Sequence, residues 1–249
     1  MTRNRDNLIL YPRTMTDNNL RQLQGILGVT FSNIALLKEA LTHSSYVNEN
    51  PEAVSNERLE FVGDAVLQLI LTEKLFHDYP SYAEGKLTQM RSRLVCRTSL
   101  ASIARALGLG NYLFLGRGEA ASGGKSKVVN LAGAIEAVFA AVYLDLDWQS
   151  TQGCILRIFN DELARLRGEQ YSDDYKSRLQ ETMQRRLKTT PTYHIVAESG
   201  PSHHPQFVAE VMLDTTMLAR GTGRSKKLAE AEAARLALEA LGEETPPLP

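Results

Sequence analysis

The sequence of 249 residues contains very little cysteine and no long uninterrupted apolar run. Its two cysteines, Cys96 and Cys154, lie far apart in no Cys-x-x-Cys or Cys/His cluster, which argues against a disulfide framework or a structural zinc site. The most apolar stretch, residues 131–144, is interrupted by Glu136 and is shorter than the roughly 20 apolar residues that a membrane helix needs. We therefore expect a cytoplasmic protein without a membrane span.

The chain also lacks an excess of either charge. Its 28 Lys and Arg residues oppose 29 Asp and Glu residues, so the formal net charge is −1. This balance excludes a globally basic protein that coats nucleic acid. With 43% hydrophobic and 23% charged residues, the composition is typical of globular proteins, and the length indicates one large domain or two unequal ones.

Apolar residues recur at helical spacing over residues 17–167, where no convincing strand alternation appears. The turn-forming segments 79–81 and 116–124 interrupt this pattern, and Asn33 or Ser32 is expected to cap a helix. Longer helices are predicted at residues 55–77, 84–107, 127–145 and 149–167. The first domain is therefore predicted to be all-α, after a loose tail at residues 1–16.

The pattern changes after residues 168–173, where the apolar content falls and where we predict a short linker with Asp173 or Asp174 capping the next helix. Period-two alternation then predicts strands at residues 193–198 and 207–213, with a third at 217–220. An alanine-rich segment at residues 226–241 favours a closing helix. Residues 174–242 are thus predicted to form a small α+β domain of order α-β-β-β-α, followed by a disordered tail at residues 243–249.

Three acidic residues share one face of the predicted helix at residues 55–77. Glu57, Glu60 and Asp64 are spaced at i, i+3 and i+7, which places their side chains in a row. An ordinary solvated face, in which Glu57 complements the helix dipole, would carry Lys or Arg three or four positions away, and none is present there. Because neighbouring like charges repel, we expect a positive group to offset them.

Glu136 is the only charged residue in the segment 131–142 of a helix that is apolar nearly all round. An unpaired buried carboxylate costs several kcal/mol or becomes protonated, so a neutral hydrogen-bonded glutamate and a salt bridge to a distant arginine are both open readings. A divalent cation shared with the acidic row would explain both features. Oxygen ligands without a Cys or His cluster indicate magnesium or manganese.

The segment at residues 56–64 reads NERLEFVGD and resembles the defining motif of the ribonuclease III family. Further matches, in the family's order, are LTHSSY at residues 41–46, EGKL at 84–87, GEAASGG at 118–124 and IEA at 135–137. The resemblance extends from Asp17 to Leu241, because the second domain is similar to that family's double-stranded-RNA-binding module. It implies an endoribonuclease that cleaves double-stranded RNA.

The resemblance also assigns roles to individual residues. It implies a metal site at Glu60, Asp64 and Glu136, of which Asp64 and Glu136 are the catalytic residues, with Glu57 and Glu84 as accessory acids. Magnesium, or manganese in its place, would assist phosphodiester hydrolysis that leaves 5′-phosphates, 3′-hydroxyls and short 3′ overhangs, in the processing or decay of ribosomal and messenger RNA. The family further implies a homodimer formed through the helical domain.

One position departs from the family pattern. The family usually has Asp, sometimes Asn, three residues before the glutamate that corresponds to Glu136, and this sequence has Gly133 there. Glycine offers no side-chain oxygen, so water is expected to take that position on the metal, with weaker metal binding or slower turnover. The alternative function is a noncatalytic or weakly catalytic protein that binds double-stranded RNA.

Three segments of the second domain resemble the RNA contacts of that module. They contribute Gln180 and Glu181, then Ser202 and His203, and finally Arg224, Ser225, Lys226 and Lys227. The last segment is either an ordinary solvated basic turn or, on physical grounds independent of the resemblance, an anion-binding site. A serine cap followed by two lysines puts cations at a helix N-terminus, where the dipole already favours an anion such as phosphate.

Two further polar residues are interpreted as structural. His43 lies at a predicted helix end, where a hydrogen-bonding or capping role is expected. Glu119 lies in the glycine-rich loop and is expected to be exposed to solvent.

Overall fold

The computed structural model describes residues 17–201 and 204–243, without the side chains of residues 17, 18 and 169–174. The chain divides into two compact units, residues 1–160 and 161–249. The predicted tails at residues 1–16 and 243–249, apart from Glu243, and the predicted RNA contacts Ser202 and His203 lie outside the described residues.

The first unit is helical, as predicted. Over residues 17–160 it contains an isolated bridge between Thr42 and Phe114 but no strand. Its helices are α1 (Asp17–Leu27), α2 (Ile34–Ala40), α3 (Ser44–Val47), α4 (Glu57–Asp78), α5 (Glu84–Val95), α6 (Arg97–Ala106), α7 (Arg117–Ala121), α8 (Val128–Asp145) and α9 (Trp148–Ile158), with short 3-10 turns at Leu109–Tyr112 and Gly124–Ser126. Asn33 caps α2 by accepting a hydrogen bond from the Ala35 N–H, as predicted.

Helix α8 is the centre of the first unit. It packs against α4, α6 and α2, and its side chains from Leu131 to Val142 are buried except that of Glu136, which is partly exposed. Among the described residues α8 alone has the length and hydropathy of a possible membrane span, but 61% of it is buried inside the protein. Its apolar surface is therefore explained by its place in the core.

The second unit contains α10 (Asn160–Leu187), β1 (Thr192–Ser199), β2 (Gln206–Leu213), β3 (Thr216–Gly223) and α11 (Lys226–Ala240). The strands form an antiparallel sheet in the order β1-β2-β3, which confirms the predicted α-β-β-β-α arrangement. Tyr175, Leu179 and Met183 of α10 form a core with alanines of α11 and with Val211. Gly221 of β3 has no room for a side chain because the backbone of α11 lies against it.

The structure corrects four boundary predictions. The predicted helix at residues 149–167 is divided between α9, which ends at Ile158, and α10, which begins at Asn160. The predicted helix at residues 84–107 is two helices, because Cys96 adopts an extended conformation between α5 and α6. The glycine-rich segment at residues 116–124 includes the short helix α7. The predicted linker at residues 168–173 lies inside α10, so the prediction that Asp173 or Asp174 caps a new helix is wrong. That segment contains no proline, and a single glycine costs a helix only about 1 kcal/mol.

Candidate active site and nucleic-acid interface

Helices α4 and α8 bring the predicted acidic residues of the first unit together. Gly63 on α4 is buried directly against the backbone of Glu136 on α8, so the two helices approach closely at this point. Glu60 and Asp64 flank Gly63 on α4. We call Glu60, Asp64 and Glu136 the acidic seam.

The electrostatics of the acidic seam show that these carboxylates act on one another. Burial, together with the charges of Asp64 and Glu60, raises the pKa of Glu136 to about 7. The pKa of Glu60 is also raised, first by burial and then by the charges of Glu57 and Asp64. Such perturbed carboxyl groups are typical of functional sites, because a stable protein gains nothing from gathering like charges in a partly buried place.

Two residues from other elements act electrostatically on the acidic seam, and the sequence pattern did not indicate this effect for either of them. The charge of Arg97, the first residue of α6, lowers the pKa of both Glu60 and Glu136, and His43 acts on Glu60 in the same direction. Their effect is smaller than that of burial. Arg58, which follows Glu57 in sequence, acts instead on Glu39, where burial raises the pKa and the charge of Arg58 opposes that rise.

Two of the three acidic residues of α4, Asp64 and Glu57, accept hydrogen bonds from neighbouring side chains. The Gln68 side-chain amide donates to both Asp64 carboxylate oxygens over 2.9 Å. The Ser55 hydroxyl donates to the Glu57 carboxylate over 2.9 Å, and Glu57 itself is exposed. These contacts orient Asp64 and Glu57 before any ligand arrives.

The donors of the acidic seam suit a divalent cation that prefers oxygen. Carboxylates are the hard ligands that magnesium and manganese take, and their mutual repulsion is relieved by positive charge. Within residues 17–201 and 204–243, however, no group of three His, Cys, Asp or Glu side chains is already arranged to hold a metal ion. The seam thus supplies oxygen ligands of the kind that such a cation takes, without a preformed metal site among the described residues.

Glu84 is not brought to the acidic seam of its own chain. It is the exposed first residue of α5, and its carboxylate accepts a hydrogen bond from the Thr88 hydroxyl over 2.9 Å. It lines a cavity of about 460 Å³ together with Phe76 and Tyr82. The interpretation of Glu84 as an accessory acid therefore finds no support in the geometry of a single chain.

His43 and Glu119 have defined structural roles. His43 caps α3, because its Nδ1 accepts a hydrogen bond from the Ser45 N–H over 3.2 Å, as expected. Glu119 is less exposed than expected, since it accepts hydrogen bonds from Lys127 over 2.9 Å and from Asn130 over 2.7 Å. These contacts brace the glycine-rich segment against the start of α8.

In the second unit, the predicted RNA contacts that the structure describes lie on α10 and around the start of α11, with Arg224 exposed in the turn between β3 and α11. Gln180 and Glu181 are exposed on α10. Ser225 caps α11, as predicted, by accepting a hydrogen bond from the Leu228 N–H over 3.2 Å. Lys226 and Lys227 are exposed in the first turn of α11, and the Lys226 ammonium lies 5.8 Å from the centroid of the Phe207 ring.

Comparison with known proteins identifies both units. A family profile described as "Ribonuclease-III-like" matches residues 33–162, and one described as "Double-stranded RNA binding motif" matches residues 175–241. The chain is 51% identical over 223 residues to Ribonuclease 3 of Dehalococcoides mccartyi, which covers 89% of this chain and 94% of that protein. It is 44% identical to Ribonuclease 3 of Carboxydothermus hydrogenoformans, over 92% of this chain and 99% of that one.

Solved structures agree with these relatives. The nuclease domain of ribonuclease III from Campylobacter jejuni is 38% identical, with a TM-score of 0.54, and the match covers 58% of this chain and 95% of that domain. A second structure of that nuclease domain has a TM-score of 0.55 at 38% identity, over 57% of this chain and 97% of that one. The fold, the motifs and the near full-length relatives agree, and the chain belongs to the ribonuclease III family of endoribonucleases.

Proposed function

We propose that this protein is a magnesium-dependent endoribonuclease that cleaves double-stranded RNA, with manganese as a possible substitute metal. The observation that carries the proposal is the acidic seam, where Glu60, Asp64 and Glu136 come from two helices. Burial, with the charges of Asp64 and Glu60, raises the pKa of Glu136, and burial, with the charges of Glu57 and Asp64, raises the pKa of Glu60. A divalent cation bound by these residues would supply the positive charge that activates water and stabilises the phosphodiester in its transition state.

The protein's own residues prepare this chemistry. Gln68 holds the Asp64 carboxylate in place through two hydrogen bonds. The charge of Arg97 lowers the pKa of Glu136 and favours its ionised form, which a metal ligand must adopt. Glu57 adds negative charge beside Glu60 and is proposed as an accessory acid. Hydrolysis with these groups is proposed to leave 5′-phosphates, 3′-hydroxyls and short 3′ overhangs.

The second unit is proposed to hold the duplex. Gln180 and Glu181 would contact 2′-hydroxyls in one minor groove, and Ser202 and His203, which lie outside the described residues, would reach the next groove. Arg224, Ser225 and the exposed Lys226 and Lys227 at the start of α11 would bind the intervening phosphates. The domain would recognise the A-form shape of the duplex. A chain with a net charge near zero can do this because its basic groups are gathered at the contact site.

We also propose that the protein forms a homodimer through its nuclease domain. Three large apolar side chains of α4 are exposed in the single chain: Phe61 by 80%, Leu69 by 57% and Phe76 by 63%. Apolar side chains grouped in this way usually mark an interface. The second Campylobacter structure is described as showing flexibility in a region involved in dimer formation of its nuclease domain. Two seams in a symmetric dimer would cut opposite strands of one duplex.

Incubation of the purified chain with a long RNA duplex tests the proposal. Discrete short duplexes in magnesium, but not in calcium or EDTA, would support the nuclease. Retention of intact duplex in all three conditions would support the alternative function, a binding protein in which Gly133 has weakened the metal site. We propose ribosomal and messenger RNA duplexes of the cytoplasm as substrates.

A further inference from the structure

Gly133 lies opposite the side chain of Glu60 where α8 crosses α4. A Cβ atom added to Gly133 would meet the Glu60 carboxylate, with Cδ at 2.9 Å, Oε1 at 3.4 Å and Oε2 closer still. Gly133 is buried, and Glu136 follows it by one helical turn on the same face of α8. The space beside Gly133, expected from the sequence to be left to water, is therefore taken by the carboxylate of Glu60.

We propose that Gly133 is a positioning residue for Glu60. Its missing side chain lets the Glu60 carboxylate cross from α4 onto α8 and take the place that a side chain at position 133 would have held. The site then has three carboxylates, whereas the family pattern with an acidic residue at position 133 would give four. The Glu60 carboxylate occupies the place beside α8 that the fourth would take. The proposal rests on the proposed metal-dependent function and concerns how this chain builds that site.

The surroundings of Glu60 explain why its carboxylate leaves its own helix. On α4 it has the carboxylates of Glu57 and Asp64 on either side, one helical turn away in each direction. The contact with Gly133 places the carboxylate against the backbone of α8. The positive charge of Arg97, at the start of α6, also acts on Glu60.

A side chain at position 133 would move Glu60 and leave the helices in place. The atoms that it would meet are the far end of a side chain that can rotate about several bonds. At Gly63 the added atom would instead meet the backbone of Glu136, which cannot rotate away. A Gly133→Ala variant is therefore expected to fold, with Glu60 displaced. A Gly133→Asp variant would likewise add one carboxylate while displacing another.

Calorimetric titration of the full-length chain with Mn²⁺ alone tests this role without measuring cleavage. Gly133→Ala is expected to weaken Mn²⁺ binding about tenfold, as loss of a ligand-orienting contact commonly does. Glu60→Ala is expected to weaken it too, and the double variant should bind no more weakly than Glu60→Ala. Gly153→Ala is the matched control, because Gly153 lies inside α9 and nothing approaches its Cβ position within 4 Å.

Two results would overturn the proposal. One is Mn²⁺ binding by Gly133→Ala that equals that of the unmodified chain. The other is an equal loss of Mn²⁺ affinity on Gly133→Ala substitution whether Glu60 is present or replaced by alanine, because the glycine would then act without Glu60.

The free energy of unfolding in EDTA tests the contact between Gly133 and Glu60 without any metal. Gly133→Ala should cost more stability in the presence of Glu60 than in the Glu60→Ala background, and an equal effect in both would contradict the contact. If the unmodified chain bound no Mn²⁺ while this unfolding difference held, the proposed metal-dependent function would fail and the positioning contact would stand.

Discussion

Gly63 of α4 lies against the backbone carbonyl of Glu136 in α8, and no side chain fits between them. A Gly63→Ala substitution must push the two helices apart, because neither partner atom belongs to a side chain that can rotate. We expect the free energy of unfolding to fall by about 1–3 kcal/mol, the usual cost of overpacking. Chemical denaturation monitored by circular dichroism measures this change.

Gly153→Ala is the control for that prediction, since it makes the same change inside a helix with open space around it. Replacing an unconfined helical glycine with alanine is expected to stabilise the protein by roughly 0.5–1 kcal/mol. Equal stability changes in the two variants would show that Gly63 is not a contact point between the helices.

The ionisation of Glu136 predicts how the metal-free protein responds to pH. Its pKa is raised from 4.5 to about 7 in the folded protein, mainly by burial and then by Asp64 and Glu60. Between these two pH values the folded state holds more protons than the unfolded state, so this residue's contribution to stability is lost as the pH rises through that window. The free energy of unfolding in EDTA should therefore decrease from about pH 5 to pH 8.

Glu136→Gln isolates this contribution, because an amide of the same shape does not titrate. The variant should show a smaller decrease over the same pH range and should be the more stable protein at pH 8. Parallel stability curves for the two proteins would mean that Glu136 is solvated as an ordinary surface carboxylate.

The lysines at the start of α11 predict the salt dependence of duplex binding. Lys226→Gln and Lys227→Gln should each weaken binding and reduce the slope of log affinity against log salt concentration by about one, if each lysine contacts a phosphate. Lys188→Gln makes the same charge change at an exposed position after α10 and should leave the slope unchanged. Slopes that match among all three variants would remove α11 from the RNA interface.

Phe61 tests the proposed dimer. Its side chain is 80% exposed in the single chain, so Phe61→Asp is expected to leave folding intact but to shift the protein from dimer to monomer in sedimentation velocity. Val129→Asp places the same charge at another exposed apolar residue, 62% exposed, in the first turn of α8. A dimer that survives Phe61→Asp, or one lost equally in Val129→Asp, would place the interface elsewhere.

Much of the fold could be predicted from sequence because its signals are local. Helical spacing, period-two alternation and the caps at Asn33 and Ser225 each depend on residues close together in the chain, and the structure confirms both domain types and both caps. The acidic row could be predicted for the same reason, because a spacing of i, i+3 and i+7 fixes which side chains share a helix face.

What could not be predicted depends on contacts between distant residues. Nothing near Arg97 or His43 in sequence indicates that both act on Glu60, since these residues are distant from Glu60 in the chain and act on it only in the folded unit. The contact of Gly133 with Glu60 has the same origin. The break between α5 and α6 at Cys96 could not be predicted because neither proline nor glycine marks it. The continuity of α10 could not be predicted because residues 168–173 have the composition of a linker.

The most direct test of the account compares the unmodified chain with Glu136→Gln on one long RNA duplex in magnesium, measuring cleavage and duplex binding in parallel. We expect the unmodified chain to produce short duplexes, and we expect Glu136→Gln to bind the duplex with similar affinity without cutting it. Near-normal cleavage by Glu136→Gln would contradict the account, because the acidic seam could not then be the site of hydrolysis.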